Sequence, residues 1–241
     1  MTDVKNKWAF ITGAARGIGA LEALFLAERG CNLIIHSRSK IHNADIEAKA
    51  IAKGVAVKSV ECDLNDFASV EKMLAEIDGF GVDVDFVLNN AGLQVAYRSD
   101  WFETPISDFT TSFAVNTISP AMITYHFLQK MNAKGFGRIV NTTSGIDKEP
   151  QQAGYSASKA ALDKFTNDLA TTVNGTDVMI NLTDPGWCRT DLGGPKAPNA
   201  PEDALPGVLV GLFADDKKSG RLFSAGNFIG MTVERAVESL K

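Results

Sequence analysis

A short apolar run, Trp8-Ala9-Phe10-Ile11, passes directly into Thr12-Gly13-Ala14-Ala15-Arg16-Gly17-Ile18-Gly19, after which the periodicity turns helical. Three glycines at such a junction mark a tight strand-to-helix turn whose backbone can approach another group closely. That turn sets the carboxyl end of a strand against a helix N-terminus, where unpaired N–H groups and the helix dipole attract an anion such as a pyrophosphate. The spacing is Gly-x-x-x-Gly-x-Gly, not the commoner Gly-x-Gly-x-x-Gly. The start of the chain therefore reads as the first β–α unit of a nucleotide-binding sheet.

The rest of the chain repeats that alternation. Helical patterns cover 18–29, 44–53 (stopped by Gly54), 67–77, 106–131 (with Pro120 inside), 153–173 and 201–213. Strand-like runs cover 8–11, 32–35, 55–60, 86–88, 138–142, 178–182 and 221–224. Strands alternating with helices imply a parallel sheet covered on both faces, and right-handed crossovers make it doubly wound. The expected fold is a Rossmann-like α/β sheet occupying residues 1–241 as a single domain. Ligands of such sheets bind beyond the carboxyl ends of the strands, so function is expected in the loops after strands one, two, four, five and six.

Composition narrows the classes of function. The chain has 241 residues, 45% of them hydrophobic, and a formal net charge of -5 with both signs interspersed. A nucleic-acid-binding surface is not expected. No N-terminal apolar signal region and no membrane-length apolar run are visible. The three cysteines, Cys31, Cys62 and Cys188, form no metal-like pair, and the three histidines His36, His42 and His126 are scattered. No metal site is expected, and the cysteine usage suggests a reduced, cytoplasmic protein. Cys31 and Cys62 lie in apolar runs and read as core; Cys188 lies in a loop with no local basic partner.

Two arginines bear on the nucleotide. Arg16 stands at a helix N-terminus, where a cation opposes the dipole unless an anion is also present. Arg38 follows the second strand in His36-Ser37-Arg38-Ser39, where NAD-binding folds usually carry an acidic residue for the ribose 2'-hydroxyl. No acid occurs there. Ser37 and Arg38 suit a 2'-phosphate instead, so NADP(H) is expected ahead of NAD(H).

An ordered set of further motifs resembles the short-chain dehydrogenase/reductase family across most of the chain. Thr12 to Gly19 is similar to its glycine loop, Asn89-Asn90-Ala91-Gly92 to its N-N-A-G motif, and Tyr155-Ser156-Ala157-Ser158-Lys159 to its Y-x-x-x-K. Pro185-Gly186 with Thr190 resembles its P-G-x-x-x-T loop, and residues 184–194 resemble the carbonyl-reductase-like branch. The resemblance implies a cofactor site of Gly13, Arg16, Gly17, Ile18, Gly19, Ser37, Arg38, Asp63, Asn90, Ala91, Gly92, Tyr155, Lys159, Pro185, Gly186 and Thr190. Within it, Asp63 would bind adenine and Thr190 the nicotinamide carboxamide. It further implies a catalytic set of Asn116, Ser144, Tyr155 and Lys159, moving a hydride between nicotinamide and a carbonyl or secondary alcohol.

The residue chemistry agrees. A tyrosine, with a reference pKa of about 10, needs a neighbouring cation to cycle its proton near neutrality. Tyr155 and Lys159 are four apart and share a helix face, which predicts the ammonium beside the phenol. Ser144 would steady the substrate oxygen, with Thr142 and Thr143 as rival hydroxyls. Asn116, polar within an apolar helical pattern, needs a hydrogen-bonding partner; the resemblance makes it part of a water-linked relay to Lys159.

Departures and rival readings remain. Ser144 to Tyr155 spans eleven positions, shorter than the family commonly shows. A V-D-G-G-like ending is absent, which leaves monomer, dimer and tetramer open as assemblies. Residues 187–205 are expected to form the substrate loop, with the proline-rich stretch 195–201 extended over the cleft as a lid. A catalytically silent nucleotide sensor or scaffold would share this fold. A sugar-nucleotide epimerase or dehydratase fits less well, since the chain leaves little room for a large substrate domain.

Overall fold

The computed structural model describes residues 1–241. Seven strands form one parallel sheet: β1 (Trp8–Ile11), β2 (Asn32–Ser37), β3 (Val57–Glu61), β4 (Val84–Asn89), β5 (Gly137–Thr142), β6 (Val178–Asp184) and β7 (Leu222–Ser224). Their spatial order is β3-β2-β1-β4-β5-β6-β7. The winding reverses between β1 and β4, where Ile11 pairs with Leu88 on one side and Ile35 on the other. A crevice opens at such a reversal beyond the strand ends, and the Gly13 and Asn90 loops both start there.

The helices are α1 (Gly17–Ala27), α2 (Ala44–Ile51), α3 (Phe67–Asp78), α4 (Ile106–Phe113), α5 (Ser119–Lys134), α6 (Ala153–Ala170), α7 (Val210–Phe213) and α8 (Val233–Glu238). Two large apolar clusters hold the layers together. One joins Ala23 and Leu26 of α1 to Ile35, Leu88, Leu212, Phe213 and Val237. The other joins Met73 and Ile77 of α3 and Phe127 and Met131 of α5 to Phe10, Ile34, Val87 and Ile139. Within α1 the carboxyl of Glu22 is fully buried, and neither oxygen has a hydrogen-bond partner. Burial pushes its pKa up to about 8, so the group is neutral in the fold at pH 7.

The observed elements correct the sequence reading in two places. The helix expected over 106–131 is interrupted by a π turn at Ala114–Ile118. Pro120 has no N–H for the carbonyl of Asn116, and its ring crowds that carbonyl, so regular α-helix cannot run through. The helix expected over 201–213 is instead 3-10 turns at Pro201–Ala204 and Gly207–Leu209, followed by the four residues of α7. Leu205, which precedes Pro206, is extended at φ -89° and ψ 145°, as the proline ring favours for its predecessor. No helix is long and apolar enough to cross a membrane. All three cysteines are free and buried.

Candidate active site

The glycine loop is braced from both sides. Gly13 has φ +68°, and its N–H donates to His36 Nδ1 at 3.3 Å. The Ala14 N–H donates to the His36 carbonyl at 3.0 Å, and His36 Nε2 donates to the Cys62 carbonyl at 3.1 Å. Burial pushes the His36 pKa down to about 4. The ring is therefore neutral, and its two nitrogens can play these opposite roles. From the other side, Asn90 Nδ2 donates to the Thr12 carbonyl at 3.0 Å, and the Ala91 N–H donates to Thr12 Oγ1 at 3.0 Å. Gly19 is the close-packing point: a Cβ there would stand 2.4 Å from both the Gly13 oxygen and Asn90 Nδ2.

Beyond β2, Ser37 is buried and its hydroxyl donates to the Ser39 carbonyl at 2.7 Å. Arg38 is exposed. Arg16 pairs with Asp191 at 2.8 Å across the loop mouth, both side chains about two-thirds exposed. Asp63 is exposed past β3, accepting the Asn65 N–H at 2.9 Å. Thr190 lies against the glycine loop: its Cγ2 is 3.4 Å from where a Cβ on Gly17 would be. The cofactor-type residues of the sequence thus gather at the ends of β1, β2, β3, β4 and β6, with Ile18 half-buried at the start of α1.

The chemistry-bearing side chains meet at the ends of β4, β5 and β6. Tyr155 is buried in the first turn of α6. Burial pushes its phenol up, hydrogen bonding with Ser144 pulls it down, and the charge of Asp184 pushes it up again. Lys159, one turn on, is 3% exposed, and its Nζ donates to the Thr142 carbonyl at 2.7 Å. A buried cation needs an acceptor, and the end of β5 offers a carbonyl within reach. Burial brings Lys159 down to about 8, against the opposing charges of Asp163 and Asp184.

Asn116 sits in the π turn, fully buried. Its Oδ1 accepts the Leu93 N–H at 2.8 Å, while its Nδ2 donates to the Leu93 carbonyl at 2.8 Å and to Ser158 Oγ at 3.0 Å. It clamps the chain just after Gly92. A Cβ on Gly92 would lie 3.6 Å from Lys159 Nζ, 3.7 Å from Asn116 Oδ1 and 3.9 Å from Leu192 Cδ1. Lys159, Asn116 and the substrate loop therefore border one hollow, which glycine leaves open.

The 187–205 segment is tied to itself. Trp187 Nε1 donates to the Gly193 carbonyl at 2.7 Å, and Arg189 Nη1 donates to the carbonyls of Ala197 and Pro198 at 3.1 and 2.7 Å. Cys188 and Asn199 form a short parallel bridge, and the proline-rich stretch folds back through a turn at Pro195-Lys196 before it. The Cys188 thiol donates to the Pro185 carbonyl at 3.3 Å, and burial pushes its pKa up, away from nucleophile chemistry.

Sequence reasoning missed His36, Asp163 and Asp184. No local spacing marks any of them. No three His, Cys, Asp or Glu side chains gather as a metal site would require.

A parallel sheet with a glycine-loop crevice at its switch point is the frame of a dinucleotide-type oxidoreductase. The short chain dehydrogenase family pattern matches residues 7–200, and the chain belongs to that family. It is 28% identical over 257 aligned positions, spanning 98% of this chain and 99% of the relative, to an uncharacterized oxidoreductase of Thermotoga maritima. It is 33% identical to a 3-oxoacyl-[acyl-carrier-protein] reductase of Aquifex aeolicus, over 78% of this chain and 77% of the relative. Among solved structures, a metagenomic short-chain oxidoreductase in complex with NADP superposes with a TM-score of 0.78 at 25% identity, over 92% of this chain and 99% of the other.

Proposed function

We propose that residues 1–241 act as one NADP(H)-dependent catalytic unit that interconverts a carbonyl and a secondary alcohol, with 187–205 as the substrate loop. The observation that carries this reading is the buried Tyr155, coupled to Ser144 and one turn from a buried lysine on the same helix. The residues suit a dinucleotide: a Cβ at Gly19 would fill the turn, and Gly92 lies within van der Waals reach of Lys159, Asn116 and Leu192. Gly13, Gly17, Ile18 and Gly19 would hold the pyrophosphate side. Arg16, Ser37 and Arg38 would hold a 2'-phosphate, Asp63 the adenine, and Asn90, Ala91, Gly92, Tyr155, Lys159, Pro185, Gly186 and Thr190 the nicotinamide half. The metagenomic oxidoreductase of similar fold carries NADP, in line with the absence of an acid at residues 36–39.

When bound, the cofactor supplies or accepts the hydride. The protein supplies the proton. In reduction, Tyr155 Oη gives its proton to the oxygen of the forming alcohol while Ser144 Oγ holds that oxygen. The phenolate left behind would be stabilised by the ammonium of Lys159, one turn on along α6. That ammonium has a pKa of about 8 and can exchange a proton near neutrality. Asn116 shapes the hollow by fixing Leu93 and shares it with Lys159.

Titration of the protein with NADPH and NADH, followed by tryptophan fluorescence, tests the reading. NADPH should bind more tightly, and Arg38→Asp should reverse the preference. Failure of both nucleotides to bind would remove it. Normal binding with no turnover across a carbonyl panel would leave the silent sensor or scaffold.

A further inference from the structure

One charged group in this cleft has no task in the mechanism. Asp184 is the last residue of β6. The strand register pairs Thr142 with Thr183, and the Thr143 N–H donates to the Thr183 carbonyl at 2.7 Å. Asp184 is thereby set level with the Thr143-Ser144-Gly145 turn. Its Oδ1 accepts the Gly186 N–H at 2.9 Å. Its Oδ2 lies 2.9 Å from where a Cβ on Gly145 would stand, so this approach depends on glycine. Oδ2 accepts no hydrogen bond, and no Lys or Arg forms an ion pair with the side chain. The Cys188 thiol is directed at Pro185 instead.

An ionised carboxylate has about four lone-pair positions, and a single backbone donor leaves most of them free. The side chain is half-buried, and its charge acts on both Tyr155 and Lys159. Its register level with the Ser144-Gly145 turn sets it beside the place where a substrate oxygen held by Ser144 would lie.

The geometry points to Asp184 as a specificity-determining residue: its free oxygen receives a hydroxyl or ammonium borne next to the reacting carbon and repels a carboxylate placed there. This rests on the Tyr155 site proposed above. It assigns the substrate class as carbonyls or alcohols with an adjacent hydrogen-bond donor.

Binding tests it without turnover. NADPH-loaded protein is titrated calorimetrically with 2-amino-1-phenylethanol, 1-phenyl-1,2-ethanediol, 1-phenylethanol and mandelate, which differ only in the group beside the carbinol carbon. In the presence of NADPH all four are dead-end ligands. The ammonium and diol should bind more tightly than 1-phenylethanol. Mandelate should bind most weakly, with at least about a tenfold spread between ammonium and carboxylate, as expected for one charge a few ångströms away. Asp184→Asn, which keeps an acceptor for Gly186, should compress that spread to about threefold or less, and Asp184→Ser should do the same. Equal affinities in the wild type, an unchanged spread in both variants, or no binding by any of the four at their solubility limits overturns the assignment. Failure of the underlying reading is seen separately, in the nucleotide titration. If that titration fails, the same four ligands are run on the nucleotide-free protein, with the same outcomes deciding.

Discussion

Around Gly13 the polar groups are tied to near neighbours: Asn90 to Thr12, Ala91 to Thr12, and His36 to both Gly13 and Cys62. Around Tyr155 the charged groups are held close with partners to spare: Asp184 has one donor, and Lys159 one carbonyl. The first region keeps its buried titratable groups neutral, with His36 at about 4 and Glu22 at about 8. The second buries a cation whose pKa, about 8, lies near working pH. A loop that only has to keep its shape is served by saturated bonds. A site that must pass a proton needs groups whose charge state is still free to change.

The sharpest contrast should come from Tyr155→Phe. Nucleotide binding should weaken by no more than about threefold, one of many contacts being lost, while kcat falls on the order of a thousandfold; stopped-flow reduction of a responsive carbonyl measures it. A fall in nucleotide affinity of the same size would merge the two regions instead of separating them.

Next come the neutral groups of the first region. Glu22 has a folded pKa raised from 4.5 to about 8. Its contribution is present below pH 4.5 and is lost as pH rises toward 8. At pH 7 that amounts to about 3 kcal/mol of lost stability. Glu22→Met should recover most of it, read by urea unfolding at pH 7. His36 works the other way. Its folded pKa is lowered from 6.5 to about 4, so its contribution is present above pH 6.5 and falls by up to about 3 kcal/mol as pH drops to 4. His36→Gln should flatten that acid limb. In the wild type the two slopes oppose between pH 4.5 and 6.5, so each single variant should expose the slope of the other.

The smallest effect concerns the bridge between the regions. The Arg16–Asp191 pair is largely solvated, so Asp191→Asn should change stability by about 0.5 kcal/mol or less. If Arg16 serves the 2'-phosphate, freeing it should tighten NADPH binding by about twofold to fivefold and leave NADH binding unchanged. Equal shifts for both nucleotides would detach Arg16 from the 2'-phosphate.

What was legible in the sequence was local. The glycine loop, the Asn89-Asn90-Ala91-Gly92 turn and the Tyr155–Lys159 spacing announce themselves because each role depends on residues a few positions apart. The parallel α/β sheet was legible for the same reason, through the strand-helix alternation. His36 was not, because its partners Gly13 and Cys62 are 23 and 26 residues away. Asp184 was hidden likewise, since its place depends on the register of β6 against β5. The π turn was only half legible: Pro120 marks an interruption, but the apolar pattern of Phe113-Ala114-Val115 continues smoothly into it. Lys159 was placed on the right face, but spacing alone said nothing of the Thr142 carbonyl that claims its ammonium.

The π turn has a consequence for how α4 and α5 are phased. It accommodates an extra residue relative to the α-helix it interrupts, and one residue is worth about 100° of helical rotation. The buried stripe of α5, which carries Ile123, Phe127 and Met131, is therefore aligned with the sheet only because the turn absorbs that offset. Removing a single residue between 114 and 118 would rotate α4 against α5 by more than a quarter-turn. Either Asn116 would leave Leu93, or Phe127 would leave the core, so the irregularity is what lets the two helices serve the hollow and the sheet at once.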